Sequence, residues 1–278
     1  MNVILTVIAV MAGVGIFFGL VLAFANKKFA VEMNPLIHVV EDILPKGQCG
    51  ACGFAGCAAY AEAVVLDKDV APNLCIPGKK AIADQVAKLT GKAAAEIEPR
   101  FAFVKCAEPI VTANKKYIYS GVNDCLAASL LLNGPKVCED GCIGLGNCVQ
   151  ACMFDAIALN DQGLPVVNKD KCTGCGKCAE ACPKGVIEMI SPDAPVAVYC
   201  NSHEKGAGVR KNCKIACIGC GLCGKQCPYG AIKIVNNLAV VDSSICLEKC
   251  SEIVCLDKCP TNAIRTYKIP PMEISQAV

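Results

Sequence analysis

This sequence predicts an α+β chain with a single N-terminal transmembrane helix, and three features predict it. Met1 to Asn26 carries no charged side chain, and Val3 to Ala25 is almost wholly apolar. One cysteine spacing occurs twice, as Cys172-Thr-Gly-Cys175-Gly-Lys-Cys178-Ala-Glu-Ala-Cys182-Pro183 and Cys217-Ile-Gly-Cys220-Gly-Leu-Cys223-Gly-Lys-Gln-Cys227-Pro228. A short repeat follows four cysteines, as Met153-Phe-Asp-Ala-Ile157, Pro183-Lys-Gly-Val-Ile187, Pro228-Tyr-Gly-Ala-Ile232 and Pro260-Thr-Asn-Ala-Ile264. Each repeat reads as a one-turn helix leading into a short strand such as Ile232-Lys-Ile-Val235, its isoleucine buried over whatever the cysteines hold.

The spacing C-x2-C-x2-C-x3-C-P is the bacterial ferredoxin run for [4Fe–4S] clusters. Three thiolates wrap one corner of a cubane, and the fourth, before the proline, serves a neighbouring cluster. Each run therefore needs a partner. Cys138, Cys142, Cys148 and Cys152 precede the first run, with irregular gaps; Cys246, Cys250, Cys255 and Cys259 follow the second. The cross-ligation rule gives four sets. They are Cys138, Cys142, Cys148 and Cys182; Cys152, Cys172, Cys175 and Cys178; Cys217, Cys220, Cys223 and Cys259; and Cys227, Cys246, Cys250 and Cys255. Four copies of the repeat imply two ferredoxin-like modules of two clusters each. Twenty-four cysteines would suggest disulfides in a small secreted chain, but cysteines so close in sequence make poor disulfide partners and good cluster ligands.

Taken in order, residues 1–26 form the transmembrane helix, long enough to cross a hydrocarbon core. A cleaved signal peptide is the rival reading, but positive charge before the apolar run is missing. Lys27 and Lys28 follow it and place the rest of the chain in the cytoplasm. Small residues Ala12, Gly13, Gly15 and Gly19 suit either close helix packing or a plain lipid-facing anchor. After a linker over 27–36, a small helical domain covers 37–99. It carries Cys49, Cys52, Cys57 and Cys75, whose spacing by itself fits zinc or one cluster. Ala58 to Leu66 reads as a helix. A second starts at Lys79, with Ile82, Val86 and Leu89 on one face and Gly91 as its stop.

A connector over 100–136 holds one helix, begun by Asn123-Asp124, with Ala127 to Leu132 as its body. Module 1 covers 137–192, a connector 193–212, module 2 213–270 and a tail 271–278. Five clusters use twenty cysteines and leave Cys106, Cys125, Cys200 and Cys213. Two precede the first module and two follow it, so its folding would bring them together as a sixth cluster; four buried thiols are the alternative. His203, between Cys200 and Cys213, reads as a surface loop residue ahead of the alternative of a ligand, and His38 is the other histidine.

No G-x-G-x-x-G after a strand, Walker A run or nucleophile elbow is present, and the basic residues lack the aromatic interleaving of a nucleic-acid surface. Nothing in the chain transforms an organic substrate, and these patterns read as electron transfer. The formal charge of +2 misleads, because each cluster nets roughly −2, taking the loaded chain to about −8 or −10. From Cys200 onward ten basic residues face six acidic ones. That end reads either as a solvated face balancing its own clusters or as a surface that receives an acidic protein by steering, with Lys211 and Lys225 as contacts.

The uncharged span, Cys49-Gly-Ala-Cys52-Gly-Phe-Ala-Gly-Cys57, the run Gly134-Pro-Lys-Val-Cys138 and the ferredoxin modules together resemble the B subunit of the Rnf complex. The resemblance implies a membrane-anchored polyferredoxin. It would take electrons from soluble ferredoxin and pass them to membrane and flavin-carrying subunits of a complex that couples ferredoxin:NAD+ oxidoreduction to Na+ or H+ transport. It also implies a [4Fe–4S] cluster at Cys49, Cys52, Cys57 and Cys75. A ferredoxin-like subunit of another membrane hydrogenase or reductase is the alternative, and a zinc-stabilised interaction module the rival from another class.

Overall fold

The computed structural model describes residues 2–29, 34–96 and 98–266. The expected tail over 271–278, with Lys268 and Glu273 of the charge count, lies outside them, as does part of the linker.

Helix α1 (Asn2–Phe29) is almost wholly apolar from Val3 to Ala25 and runs on past the expected end at residue 26, through Lys27 and Lys28. Its 28 residues span about 42 Å at ~1.5 Å each, enough for a ~30 Å hydrocarbon core. None of its candidate membrane-crossing window is buried by the rest of the protein. The small residues Gly13, Gly15 and Gly19 have open space beside them.

Helix α2 (Pro35–Ile43), which spacing and periodicity did not announce, starts where Asn34 Oδ1 accepts from the Leu36 N–H and Pro35 presets the first turn. It packs with α3 (Cys57–Leu66) and α4 (Lys79–Thr90) around Val40, Tyr60, Val64 and Val86. Gly91, at φ 69°, ends α4. The apolar face of α4 is shorter than expected: Val86 is buried, but Leu89 is exposed. The Lys92 ammonium donates to the Val64, Asp67 and Val70 carbonyls at 2.6–2.7 Å, satisfying the open end of α3.

The remaining elements are β1 (Phe101–Val104), α5 (Cys125–Leu130), α6 (Asn147–Gln150), β2 (Ile157–Leu159), β3 (Pro165–Val167), α7 (Lys177–Glu180), β4 (Ile187–Ile190), β5 (Val196–Val198), α8 (Ala207–Asn212), α9 (Leu222–Gln226), β6 (Ile232–Val235), β7 (Leu238–Val241), α10 (Ser243–Lys249) and β8 (Ile264–Thr266). The strands form four antiparallel pairs. The β1–β4 pair, with Phe101 opposite Ile190, brackets the β2–β3 hairpin in sequence, and β5–β8, with Val196 opposite Thr266, brackets β6–β7. Pairing thus draws residues 101–104 and 196–198, expected in connectors, into the ferredoxin-like sheets. The β6–β7 loop is Asn236-Asn237, both at positive φ, as a two-residue hairpin requires. Helix α5 ends at Leu130, earlier than expected, because Leu132 and Asn133 turn to positive φ.

One expectation about the repeats is corrected. They are turns, not one-turn helices. The third residue of each copy, Asp155, Gly185, Gly230 and Asn262, sits at positive φ (49°, 58°, 65° and 51°). A left-handed residue cannot propagate a right-handed helix, and Asp, Asn and Gly tolerate that region best. The short helices α6, α7 and α9 lie before the terminal cysteines instead, each entered through a left-handed glycine. Ile157, Ile187, Ile232 and Ile264, after the turns, are all buried.

Candidate metal centre

Two glycines show how the regular runs bend. Gly174 and Gly219 occupy the same place in their runs, at φ 77° and 65°. A Cβ on Gly174 would overlap the Arg100 carbonyl oxygen, and one on Gly219 would meet the Asn237 carbonyl at 2.7 Å. The backbone therefore curls against its neighbour and turns successive cysteines inward.

Three cavities are each lined by four cysteines. One is bounded by Cys152, Cys172, Cys175 and Cys178, with Ile157 over it. A second is bounded by Cys217, Cys220, Cys223 and Cys259, with Ile264 over it. The third is bounded by Cys125, Cys142, Cys148 and Cys182, with Ile187 alongside. The first two contain the expected sets. The third departs from expectation, for Cys125 stands where Cys138 was predicted. Asp124 and Asn147 are the physical reason. Asp124 Oδ1 caps α5 by accepting from the Ala127 N–H at 2.6 Å, while its Oδ2 accepts from Asn147 Nδ2 at 2.8 Å. That clamp holds the start of α5 beside Cys148.

The other thiols are grouped by their electrostatic neighbours. Burial pushes the Cys75 thiol up to about 11, and Cys57, Cys52 and Cys49 add to it. Burial, then Cys246, Cys250 and Cys227, do the same to Cys255, also about 11. Burial raises Cys138, and among the cysteines its neighbour is Cys106. Burial takes Cys213 to about 12, with Glu108, Cys200 and Cys106 contributing. Cys200, raised by burial to about 11, feels Cys217 and Cys138. Electrostatic influence thus links Cys106, Cys138, Cys200 and Cys213. Of the four cysteines expected as a sixth set, Cys106 and Cys200 act on Cys213, while Cys125 lines a cavity with Cys142, Cys148 and Cys182.

Backbone N–H groups are already aimed at sulfur. Ala156 N–H donates to Cys152 Sγ at 3.3 Å, and Ser202 N–H to Cys200 Sγ at 3.4 Å. Burial works to raise Cys259, but the Ile264, Thr261 and Ala263 N–H groups and the Thr261 hydroxyl outweigh it and hold that thiol below its usual value. These are the contacts that would hold thiolates and tune a cluster's potential. All 24 cysteines are free. Among the described residues no three His, Cys, Asp or Glu side chains converge on a single metal ion. Four thiolates on one zinc would stand about 3.8 Å apart, from a Zn–S bond of ~2.3 Å, whereas a cubane lies between its ligands and spreads them. The cavity linings fit the larger group.

Neighbouring sites also influence one another electrostatically. Cys49 acts on Cys175, Cys148 on Cys178, Cys106 on Cys142, and Cys217 on Cys200. Cys220 alone of the cysteines is exposed. Lys211 and Lys225 are exposed on α8 and α9. His203 is exposed, with Nδ1 3.0 Å from the Asn236 carbonyl, and His38 is exposed beside Glu41.

Comparison with known proteins agrees with this chemistry. A family model for a 4Fe-4S dicluster domain matches residues 135–189, one for a 4Fe-4S binding domain matches 216–233, and one for an Fe-S cluster matches 44–77. The chain is 58% identical over 265 residues to the B subunit of the proton-translocating ferredoxin:NAD(+) oxidoreductase complex of Clostridium ljungdahlii, covering 95% of this chain and 93% of that protein. It is 43% identical to the B subunit of the ion-translocating oxidoreductase complex of Methanosarcina acetivorans, covering 95% and 98%. It is 39% identical to the B subunit of the Na(+)-translocating ferredoxin:NAD(+) oxidoreductase complex of Acetobacterium woodii, covering 95% and 78%. With cysteine-lined cavities, 4Fe-4S ferredoxin domains and an N-terminal apolar helix on one chain, this protein belongs to the B-subunit family of the ion-translocating oxidoreductase (Rnf) complexes.

Proposed function

We propose that this chain is the electron-transfer subunit of an Rnf-type ferredoxin:NAD+ oxidoreductase, holding six [4Fe–4S] clusters in series. The ligand sets are Cys49, Cys52, Cys57 and Cys75; Cys152, Cys172, Cys175 and Cys178; Cys125, Cys142, Cys148 and Cys182; Cys106, Cys138, Cys200 and Cys213; Cys217, Cys220, Cys223 and Cys259; and Cys227, Cys246, Cys250 and Cys255. The single observation that carries the reading is a serial electrostatic influence: each of the first four sites acts on the next through a named pair of cysteines. The clusters supply one-electron couples along that series. The protein's residues hold thiolates, exclude water behind the buried isoleucines and direct N–H groups at sulfur.

Two ferredoxin-like modules, closed by β1–β4 and β5–β8, carry five of the sites, and the helical domain carries the other. Helix α1 anchors the chain in the cell membrane as a single pass, with Lys27 and Lys28 keeping the bulk of it cytoplasmic. Soluble ferredoxin docks on the part of the chain from Cys200 onward, where Cys220, Lys211 and Lys225 are exposed, and electrons leave toward membrane and flavin-carrying subunits. NAD+ and the transported ion belong to those partners. The relatives' names favour this reading over a hydrogenase subunit. Anaerobic purification with iron and acid-labile sulfide counts tests it. About 24 irons per chain and absorption near ~400 nm that bleaches with dithionite are expected. A colourless, zinc-loaded chain would overturn it.

A further inference from the structure

Lys136 is 3% exposed. Its ammonium makes no hydrogen bond among the described residues. Glu108, itself 17% exposed, stands 3.4 Å away as an ion pair without hydrogen-bond geometry. A bare buried ammonium is expensive unless something negative faces it. The segment is rigidly held: Lys136 bridges Lys115, Lys116 N–H donates to the Pro135 carbonyl at 2.7 Å, and Val137 N–H donates to the Asn114 carbonyl at 2.8 Å. A Cβ added to Gly141 would lie 3.5 Å from Lys136 Nζ and 3.4 Å from Cys138 Sγ, so ammonium and thiol share one small space. Lys184, the other cation near Cys138, is tied to Asn133 Oδ1 at 3.4 Å.

The same space joins the two modules. Asn201 Nδ2 donates to the Asp140 and Lys184 carbonyls at 3.2 and 2.9 Å, and His203 N–H donates to Asp140 Oδ2 at 3.0 Å. Cys138 comes from one module's side of this seam and Cys200 from the other.

We propose that Lys136 is a fixed buried cation facing the cluster held by Cys106, Cys138, Cys200 and Cys213, and that it raises the reduction potential of this junction between the two modules. The inference rests on that ligand assignment. One-electron reduction adds negative charge at the site, the electron arriving from one neighbouring cluster and leaving to the other. Lys136 favours the reduced state by Coulomb attraction, strengthened because its ammonium is buried. Glu108 opposes it and sets the net effect.

The test uses the full chain, purified anaerobically, with metal analysis and an EPR-monitored redox titration. Lys136→Met keeps the iron count and moves one couple toward harder reduction at least tenfold, about 59 mV for a one-electron couple. Lys136→Arg leaves that couple close to its starting place. Glu108→Gln moves the same couple the opposite way, and it decides the matter if Lys136→Met fails to fold. Full iron with every couple unmoved in Lys136→Met, or in Glu108→Gln when the first variant fails to fold, overturns the role of Lys136. Full iron in a Cys138→Ser/Cys200→Ser double variant overturns the ligand assignment instead, so the two failures are told apart.

Discussion

The backbone N–H of Cys125 donates to Asn147 Oδ1 at 2.6 Å, joining the start of α5 to the start of α6 across 22 residues of sequence. Asn147 returns a hydrogen bond to Asp124, so one amide ties together two cysteine-bearing turns. Asn147→Ala leaves both partners without it. The cost is about 1–3 kcal/mol, concentrated at the site lined by Cys125 and Cys148. One cluster of the chain should surrender its iron to a chelator roughly tenfold faster, and the others at their former rate. Uniform release from all sites would argue against a local clamp.

Cysteine variants separate the ligand sets. Cys106→Ser with Cys138→Ser should cost the same four or so irons as either change alone, because both act on one site. Cys125→Ser with Cys138→Ser should cost about eight, because they act on two. Equal losses in the two double variants, measured by iron and sulfide analysis, would return Cys138 to the set expected from spacing.

Assembly should depend on pH in one direction. Burial, and then neighbouring thiols, hold Cys246 and Cys255 near 11 and Cys178 near 12, so at neutral pH these groups carry their protons. Ligation needs thiolates, and each bound cysteine releases its proton. The apparent affinity of the iron-free chain for a cluster therefore rises with pH from neutrality to about 11, and weakly buffered solution acidifies on reconstitution. Reconstitution across a pH series measures the slope, and a flat profile would contradict it.

Docking at the Cys220 end predicts salt sensitivity. Ferredoxin oxidation by the intact complex should slow as ionic strength shrinks the screening length from about 10 Å at 0.1 M to about 3 Å at 1 M. Lys211→Glu and Lys225→Glu should lower the rate at low salt and flatten its salt dependence. Stopped-flow rates indifferent to both salt and charge would place docking elsewhere.

Gly174→Ala tests the curl of the first run. The new methyl meets the Arg100 carbonyl at a positive φ, so strain and overlap coincide. A loss of about 1–3 kcal/mol and of the iron held by Cys172, Cys175 and Cys178 is expected, against no loss for Gly185→Asn, where no neighbour lies within 4 Å and Asn tolerates the left-handed region. Metal analysis of both variants is the measurement.

The apolar span, the α3 and α4 helices and the strands after each repeat were legible in the sequence, because each depends on residues close along the chain. Helix α2 was not, since its core contacts Ile37 and Val40 acquire meaning only against α3 and α4. The repeats look like helical turns by spacing alone, because spacing is silent about φ, and the left-handed residue in the middle of each copy decides the matter.

Within the runs, a cysteine every third residue determined by itself which thiols turn inward together, for the backbone cannot carry them far apart in so few bonds. The assignment of Cys138 and Cys125 lay beyond that reach. Residues 105–141 carry no regular run, and only the tertiary structure, through the Asp124–Asn147 clamp, sets Cys125 beside Cys148 and brings Cys138 next to the buried Lys136. Short spacing restricts geometry strongly; a long loop restricts it hardly at all, and the hydrogen bonds and charges it meets on folding supply the rest.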